Sequence, residues 1–349
     1  MADIAKQTQL PTIQNIYRKY EFNRKPPHRP HLGASQIGHS CDRFLWYQFH
    51  WCDHDEPEGR VLRLFDHGDA EEKRLTKDLR EIGVKVYNMD QSTGKQFYFT
   101  TFGGHLGCSI DGAGKGFPES TKWHLLEFKT SSAKRFAKLK KDGLERFNPQ
   151  YWAQVILGME LSGLPRTMHL TTCKDTDEIY GERIKPDAKE AQRLLKRGER
   201  IIFSDDPLEK LSSRPDWYEC KFCCMHSICH GDRVAEVNCR TCSHSTAERD
   251  GAWTCAKHGG ALTIQNQKKG CKLHLMRPSL VPYAEAVDAG ENWIKYKHPG
   301  GEFCNNIETG PLCYTSKELR AYDGKLPAEA AVEQTRVTFG GTLMEYKKC

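Results

Sequence analysis

Two short runs decide how this chain is read: Ser109-Ile110-Asp111-Gly112, then Trp123-His124-Leu125-Leu126-Glu127-Phe128-Lys129. The second is an apolar strand interrupted by two charges. At a strand's two-residue period, Glu127 and Lys129 project from the same face. Asp111 closes the strand before it, at a glycine turn. An amphipathic helix predicted over 69–82, ending at Gly83, carries Glu72. Taken singly these are ordinary residues: a Glu-x-Lys on a solvated edge, an Asp-Gly turn, a helical glutamate. Taken in this order, they can converge on one point. Two or three carboxylates around Mg²⁺ or Mn²⁺, with a lysine beside them, suit phosphodiester hydrolysis, because the ion takes oxygen ligands and neutralises the phosphate. The lysine supplies a positive charge to orient the attacking water.

Working outward, period-two patterns predict strands over 84–87, 96–102, 105–111, 123–129, 166–172 and 178–184. Helical patterns cover 33–51, 133–141, 149–161 with Gly163 just past the end, and 186–202. This alternation predicts an α/β fold, a mixed central sheet flanked by helices. Residues 1–32 read as an extended lead-in, from the prolines in Lys25-Pro26-Pro27-His28-Arg29-Pro30, and 207–215 as a linker. The region 281–349 is weakly patterned, with Trp293, Tyr296 and Phe303 as a candidate satellite core and the last 25 residues read as partly mobile.

Asp111-Gly, Leu-Leu-Glu127-Phe-Lys129-Thr and Pro-Gln-Tyr-Trp-Ala-Gln154 together resemble the PD-(D/E)XK nuclease superfamily, in its RecB-like exonuclease branch. Gly68 to Glu72 matches the helix that precedes the family's strands. The resemblance spans 33–232 and implies a restriction-endonuclease-like sheet. By that resemblance Glu72, Asp111 and Glu127 bind Mg²⁺ or Mn²⁺, Lys129 serves the attacking water, and Gln154 matches the glutamine of a Gln-x-x-x-Tyr motif. The chain departs from the motif at its tyrosine, which is Gly158 here.

There are 15 cysteines, an odd number without an export signal, so a disulfide framework fits badly. Eight fall between Cys220 and Cys271, which reads as metal ligation. Cys220-x2-Cys223-x5-Cys229 is a triad in need of a fourth ligand. Cys224 and His226 are local candidates for a zinc site. The resemblance points to Cys41 instead: in CRISPR-associated and AddAB-type nucleases an N-terminal cysteine joins such a triad around a [4Fe-4S] cluster. Cys41 as a plain core thiol is the bland alternative. Cys239-x2-Cys242 with Cys255 and Cys271 reads as a structural zinc module over 233–280, with His258 or His274 as substitute ligands and a second iron–sulfur cluster as the alternative.

Residues 122–146 carry eight Lys/Arg against three acidic residues. Lys134, Arg135 and Lys138, with Arg43, are the candidate DNA contacts; such a run otherwise reads as a solvated helix face. The net charge of +6 is too small to name a partner alone. With no apolar stretch near the ~18 residues a membrane span needs and no signal-peptide pattern, the expected location is cytoplasmic. The reading is therefore a metal-dependent DNA nuclease, an exonuclease by resemblance, acting in recombination, repair or phage DNA processing, with recombination or replication proteins as further partners. Two other classes stay open: a non-catalytic DNA-binding or scaffolding subunit with a degenerate nuclease fold, suggested by Gly158, and a redox or iron sensor.

Overall fold

The computed structural model describes residues 10–25, 28–322, 330–342 and 344. Of the last 25 positions, read above as partly mobile, 325–329, 343 and 345–349 lie outside them. The longer helices are α1 (Pro11–Phe22), α2 (Asp42–Phe49), α3 (Gly59–Glu81), α4 (Ala133–Phe147), α5 (Pro149–Ser162) and α6 (Ala188–Ile202). The chain forms two compact units, Met1–His39 with Asp55–Gly198, and Ser40–His54 with Glu199–Cys349. Among the described residues no helix is long and apolar enough to cross a membrane.

The first unit is built on β1 (Leu32–Gly33), β2 (Lys85–Tyr87), β3 (Tyr98–Thr101), β4 (Leu106–Ser109), β5 (Gly112–Lys115), β6 (His124–Ser131), β7 (Thr167–Cys173) and β8 (Ile179–Ile184). Five of these make a mixed sheet in the order β2-β5-β6-β7-β8. β6 and β7 are parallel, and the other neighbours in it are antiparallel. The parallel pair needs a long crossover, which α4 and α5 supply. A smaller sheet has the order β1-β4-β3. The expected mixed sheet with flanking helices is what forms.

Leu126 and Phe128 on β6 pack with Leu75 and Leu79 of α3, and with Val84, Val86, Phe117 and Met168. Alternation then sends Leu125, Glu127 and Lys129 to the other face of the strand. Leu125 meets α5 there: a Cβ on Gly158 would come within 2.8 Å of Leu125 Cδ1 and 3.6 Å of Cys108 Sγ. The position that the family motif gives to tyrosine is thus the tight seam between α5 and the sheet, with no room for a ring.

The helices differ from the sequence reading in four places. The lead-in contains α1, whose proline sits in the first turn, where a missing N–H costs nothing. α3 begins ten residues before the predicted start, because its first half is mostly unburied and gives no core-facing stripe. α4 continues past Lys141 through a kink at Gly143, whose φ of 72° is open to glycine; Glu182 accepts the Leu144 N–H there at 2.8 Å. The pattern over 33–51 is helical only in α2. Asn148 caps α5 by accepting from the Gln150 and Tyr151 N–H groups, and Gly163 ends it in the left-handed region, as expected.

The second unit holds two further sheets. β9 (Ser245–Ala247), β10 (Trp253–Cys255) and β11 (Gly260–Ala261) form one, in the order β11-β10-β9. β12 (Glu285–Gly290), β13 (Trp293–His298), β14 (Gly301–Asn306) and β15 (Cys313–Tyr314) form the other, in chain order. Tyr296 and Phe303 stack 5.2 Å apart in its buried face. The weak sequence pattern over 281–349 hid this sheet because β12 is exposed throughout.

Candidate functional site

In the first unit, Glu127 is 1% exposed and Asp111 sits beside it at the turn into β5. Asp111 accepts the Phe128 N–H at 2.7 Å. The Lys129 ammonium is ion-paired with Glu127. Glu72 of α3 reaches the same cluster. Its carboxyl is pushed up to about 7, by burial first and then by Asp111 and Asp69, against the pull of Lys129. Glu127 is raised by burial, with Lys129 pulling it back and Asp111 and Glu72 adding to the rise. Asp111 is raised by burial, against Lys129 and the Phe128 N–H. Burial disfavours the Lys129 charge, but Glu127 and Asp111 more than offset that and hold it protonated. The four residues expected to converge do so. The result is a set of carboxylates within electrostatic reach of one another and of one fixed cation, oxygens of the kind a hard divalent ion takes.

Asp69, three residues before Glu72 on α3, is a further carboxylate that acts on both Glu72 and Asp111. Its i−3 spacing was the available signal. Tyr151 was also missed: Lys129 Nζ lies 5.2 Å from its ring centroid. A cleft of about 390 Å³ opens at this cluster, lined by Arg29, His31, Ser35, Cys108, Asp111 and Gln154 among others. Gln154 lies on the cleft wall. Arg29 lies in the proline-rich stretch read only as a lead-in, and folding returns it to the site. Cys108 shares the wall; burial, with Glu127 and Asp111 adding, pushes its thiol up to about 12.

α4 presents Lys134, Arg135 and Lys138 to solvent, with Phe136 and Leu139 buried beneath. Arg135 lies over the Phe147 ring. Arg43, in the second unit, is committed elsewhere. Its Nε donates to the Leu208 carbonyl at 2.5 Å and its Nη1 to the Tyr47 hydroxyl at 3.2 Å. It belongs to the packing of α2, where Trp46 and Tyr47 are core. Of the histidines near the motifs, His105 and His124 are buried and His67 is exposed.

Two thiol clusters form in the second unit. Cys41 stands at the N-cap of α2, accepting the Phe44 N–H at 3.4 Å. The Cys220 thiol is raised by burial, then by Cys41 and Cys223. Burial also raises Cys229; Arg43 and Lys210 oppose that, and Cys41 and Cys223 add to it. The chain thus returns Cys220 to Cys41 across 179 positions, and the neighbouring Ser40 and Glu219 are hydrogen-bonded. Cys224 is exposed, and His226 Nε2 faces the Pro215 carbonyl at 3.2 Å.

In the second cluster, the Cys239 thiol is pushed up to about 12 by burial, then by Cys242, Cys271 and Cys255. Cys242 is raised by burial, with Cys271 and Cys255 adding. His258 is exposed, and His274 is buried with Nε2 2.9 Å from the Asn238 carbonyl. The four thiols thus lie within electrostatic reach of one another. Arg240, between two of these cysteines in sequence, is buried against Trp51, Trp253 and Phe49, 3.8, 4.7 and 5.1 Å from their ring centroids. Burial lowers the pKa of this delocalised cation to about 9, and the three ring faces take the place of water around it.

No family model matches the sequence, and no curated protein matches it. Solved structures similar to it include SSO0001, at 15% identity and TM-score 0.39, over 64% of this chain and 97% of that one. An alkaline exonuclease, LHK-Exo from Laribacter hongkongensis, is similar at 16% identity and TM-score 0.34, over 53% of this chain and 90% of its own. LHK-Exo in complex with dAMP gives 16% identity and TM-score 0.36, over 54% and 90%. Likeness this distant carries no argument about activity.

Proposed function

We propose that the chain is a Mg²⁺- or Mn²⁺-dependent deoxyribonuclease of the PD-(D/E)XK type, acting as an exonuclease of the RecB-like branch. The observation that carries the reading is the mutual electrostatic coupling of Glu72, Asp111, Glu127 and Lys129 beside a cleft that Asp111 lines. Glu72 is lifted to about 7 by burial first and then by Asp111 and Asp69, and a divalent cation would relieve both the buried charge and the like-charge repulsion. When bound, such an ion neutralises the phosphate and lowers the pKa of a coordinated water. The chain's own residues do the rest. Glu72, Asp111 and Glu127 hold the ion. Lys129, kept protonated by its two carboxylates, orients the phosphate oxygen and the incoming water. Gln154 and Arg29 line the path of the backbone. Lys134, Arg135 and Lys138 extend a basic face along α4.

In the second unit, Cys41, Cys220, Cys223 and Cys229 are proposed to hold a [4Fe-4S] cluster, and Cys239, Cys242, Cys255 and Cys271 a structural Zn²⁺. All-thiolate donor sets suit both. Each would close a turn-rich stretch of chain, so metal binding would contribute folding energy. The placement in recombination, repair or phage DNA processing, and the cytoplasmic location, follow the family reading alone.

The test uses anaerobically purified protein with end-labelled single- and double-stranded DNA, in Mg²⁺, Mn²⁺ or EDTA. Progressive release of mononucleotides or short products, stopped by EDTA, is expected. Binding without cleavage in either ion would favour the scaffolding reading.

A further inference from the structure

Eight cysteines are taken up by the two proposed clusters; Cys304 and Cys313 belong to neither. They are register partners on the parallel strands β14 and β15. Adjacent strands lie ~4.8 Å apart, inside the ~4.4–6.8 Å Cα window of a disulfide. Phe303 and Asn305 on one strand and Tyr314 on the other are buried, so alternation turns both cysteines to the opposite face, where each is half-buried. The Cys304 thiol is raised by burial first and then by Cys313 beside it.

The cross-strand row on that face runs Asp288, Lys295, Cys304, Cys313. Lys295 thus stands next to Cys304 and favours its thiolate, against burial and Cys313, which raise it. The segment between the cysteines is held in place. The Cys304 N–H donates to the Leu312 carbonyl at 2.8 Å, and the Leu312 N–H donates to Glu333 at 3.0 Å. Arg336 donates to the Gly310 carbonyl at 2.6 Å. The thiols are therefore brought together by the fold as well as by sequence proximity.

We propose that Cys304 and Cys313 are a redox-active pair that closes to a disulfide by exchange with a low-molecular-weight disulfide of the glutathione class. The Cys304 thiolate attacks one sulfur of the oxidised glutathione, forming a mixed disulfide and expelling one glutathione thiolate. Cys313, losing its proton to solvent, attacks Cys304 Sγ and expels the second. One disulfide is reduced to two thiols while two protein thiols become one disulfide, so electrons balance. The product staples the 305–312 segment and makes this sheet responsive to the thiol–disulfide poise.

The full chain, purified without air, is equilibrated in reduced and oxidised glutathione, acid-quenched, alkylated and digested with trypsin. Both cysteines fall on the single tryptic peptide 298–317. The wild type should give that peptide lighter by two hydrogens, with no glutathione attached, and Cys313→Ser should stop at the glutathione adduct on Cys304. The native chain should favour the disulfide by ~10-fold or more over the same chain in guanidinium, because the fold raises the effective thiol concentration. A wild type that accumulates the mixed adduct, stays reduced at every poise, or oxidises equally when unfolded would overturn the proposal.

Discussion

Glu127 and Lys129 stand on β6, the middle strand of a five-stranded sheet, whereas Cys220, Cys223 and Cys229 stand on turns and single turns of helix. The first set is positioned by apolar packing on the opposite strand face: Leu126 and Phe128 hold the strand whether or not the carboxylates bind anything. The second set is anchored by fewer contacts, among them buried Met225 and Ile228 and the Ser40–Glu219 hydrogen bond. Sites on rigid strands concentrate cost in chemistry, and sites on loops concentrate it in folding. Substitutions in the two regions should therefore fail in different ways.

The largest effect is expected at the carboxylates. Asp111→Ala, Glu127→Ala and Lys129→Ala should each lower the cleavage rate by on the order of 10²- to 10³-fold or more, as loss of charge stabilisation at a reacting group does. Glu72→Ala should cost less, since a water can replace an outer ligand. The fold should survive. Glu127→Gln should leave the metal-free protein folded, because burial opposes the lost charge and Lys129, which loses its ion pair, keeps Asp111 as a partner. Undiminished cleavage by Asp111→Ala would break the comparison on its first side, and unfolding of Glu127→Gln would break it too.

The thiol clusters should behave in the reverse manner. Cys41→Ser should lose as much iron as Cys220→Ser, from about four per chain for a cubane, and should lower stability, while Cys224→Ser should keep its iron. Retention by Cys41→Ser and loss by Cys224→Ser would make the site local. Cys239→Ser should release about one zinc per chain and expose the 239–274 region to protease, leaving the carboxylate cluster in place. Iron in place of zinc at that site would overturn its assignment.

The contrast also separates what the sequence could and could not reveal. Glu127 and Lys129 were legible because a strict two-residue period fixes their common face, and Asn148 and Gly163 marked the ends of α5 by their capping chemistry. Arg29 and Tyr151 were not, because a proline-rich lead-in and a helix flank carry no periodic sign of a cleft that forms only when α5 and β4 meet. The long first half of α3 was hidden for a related reason: it buries almost nothing. The Gly158 departure reads differently once the packing is known. That position is a helix–sheet seam, and so it says nothing against chemistry in the cleft.

A smaller effect concerns pH in the second unit. His274 is buried, and burial, with the Asn238 carbonyl opposing, lowers its pKa to about 4. A depressed histidine is neutral in the fold while the unfolded chain takes up a proton below about 6.5. Stability from this group is thus present above that pH and is lost as pH falls from about 6.5 toward 4, by up to ~3 kcal/mol. Urea unfolding of the wild type and His274→Gln at pH 7 and pH 5 checks this. The wild type should lose more stability between the two than the variant, and equal losses would assign acid sensitivity to the thiols.

The smallest predicted effect probes how the first site is rigid. Lys129 has two carboxylates to one side and the Tyr151 ring 5.2 Å away. A ring face adds roughly 0.5–2 kcal/mol to a partly desolvated ammonium, and that attraction limits how far the amine follows Glu127. Tyr151→Phe keeps the ring and should keep kcat. Tyr151→Leu removes it and should lower kcat by ~10-fold with KM little changed, because the lost term acts on orientation and not on DNA affinity. Labelling of the Lys129 amine with acetic anhydride, read by peptide mass, follows the same contact without requiring cleavage: it should quicken in Tyr151→Leu and not in Tyr151→Phe. If Tyr151→Phe loses as much activity as Tyr151→Leu, the hydroxyl is what matters, and Tyr151 touches substrate or water directly.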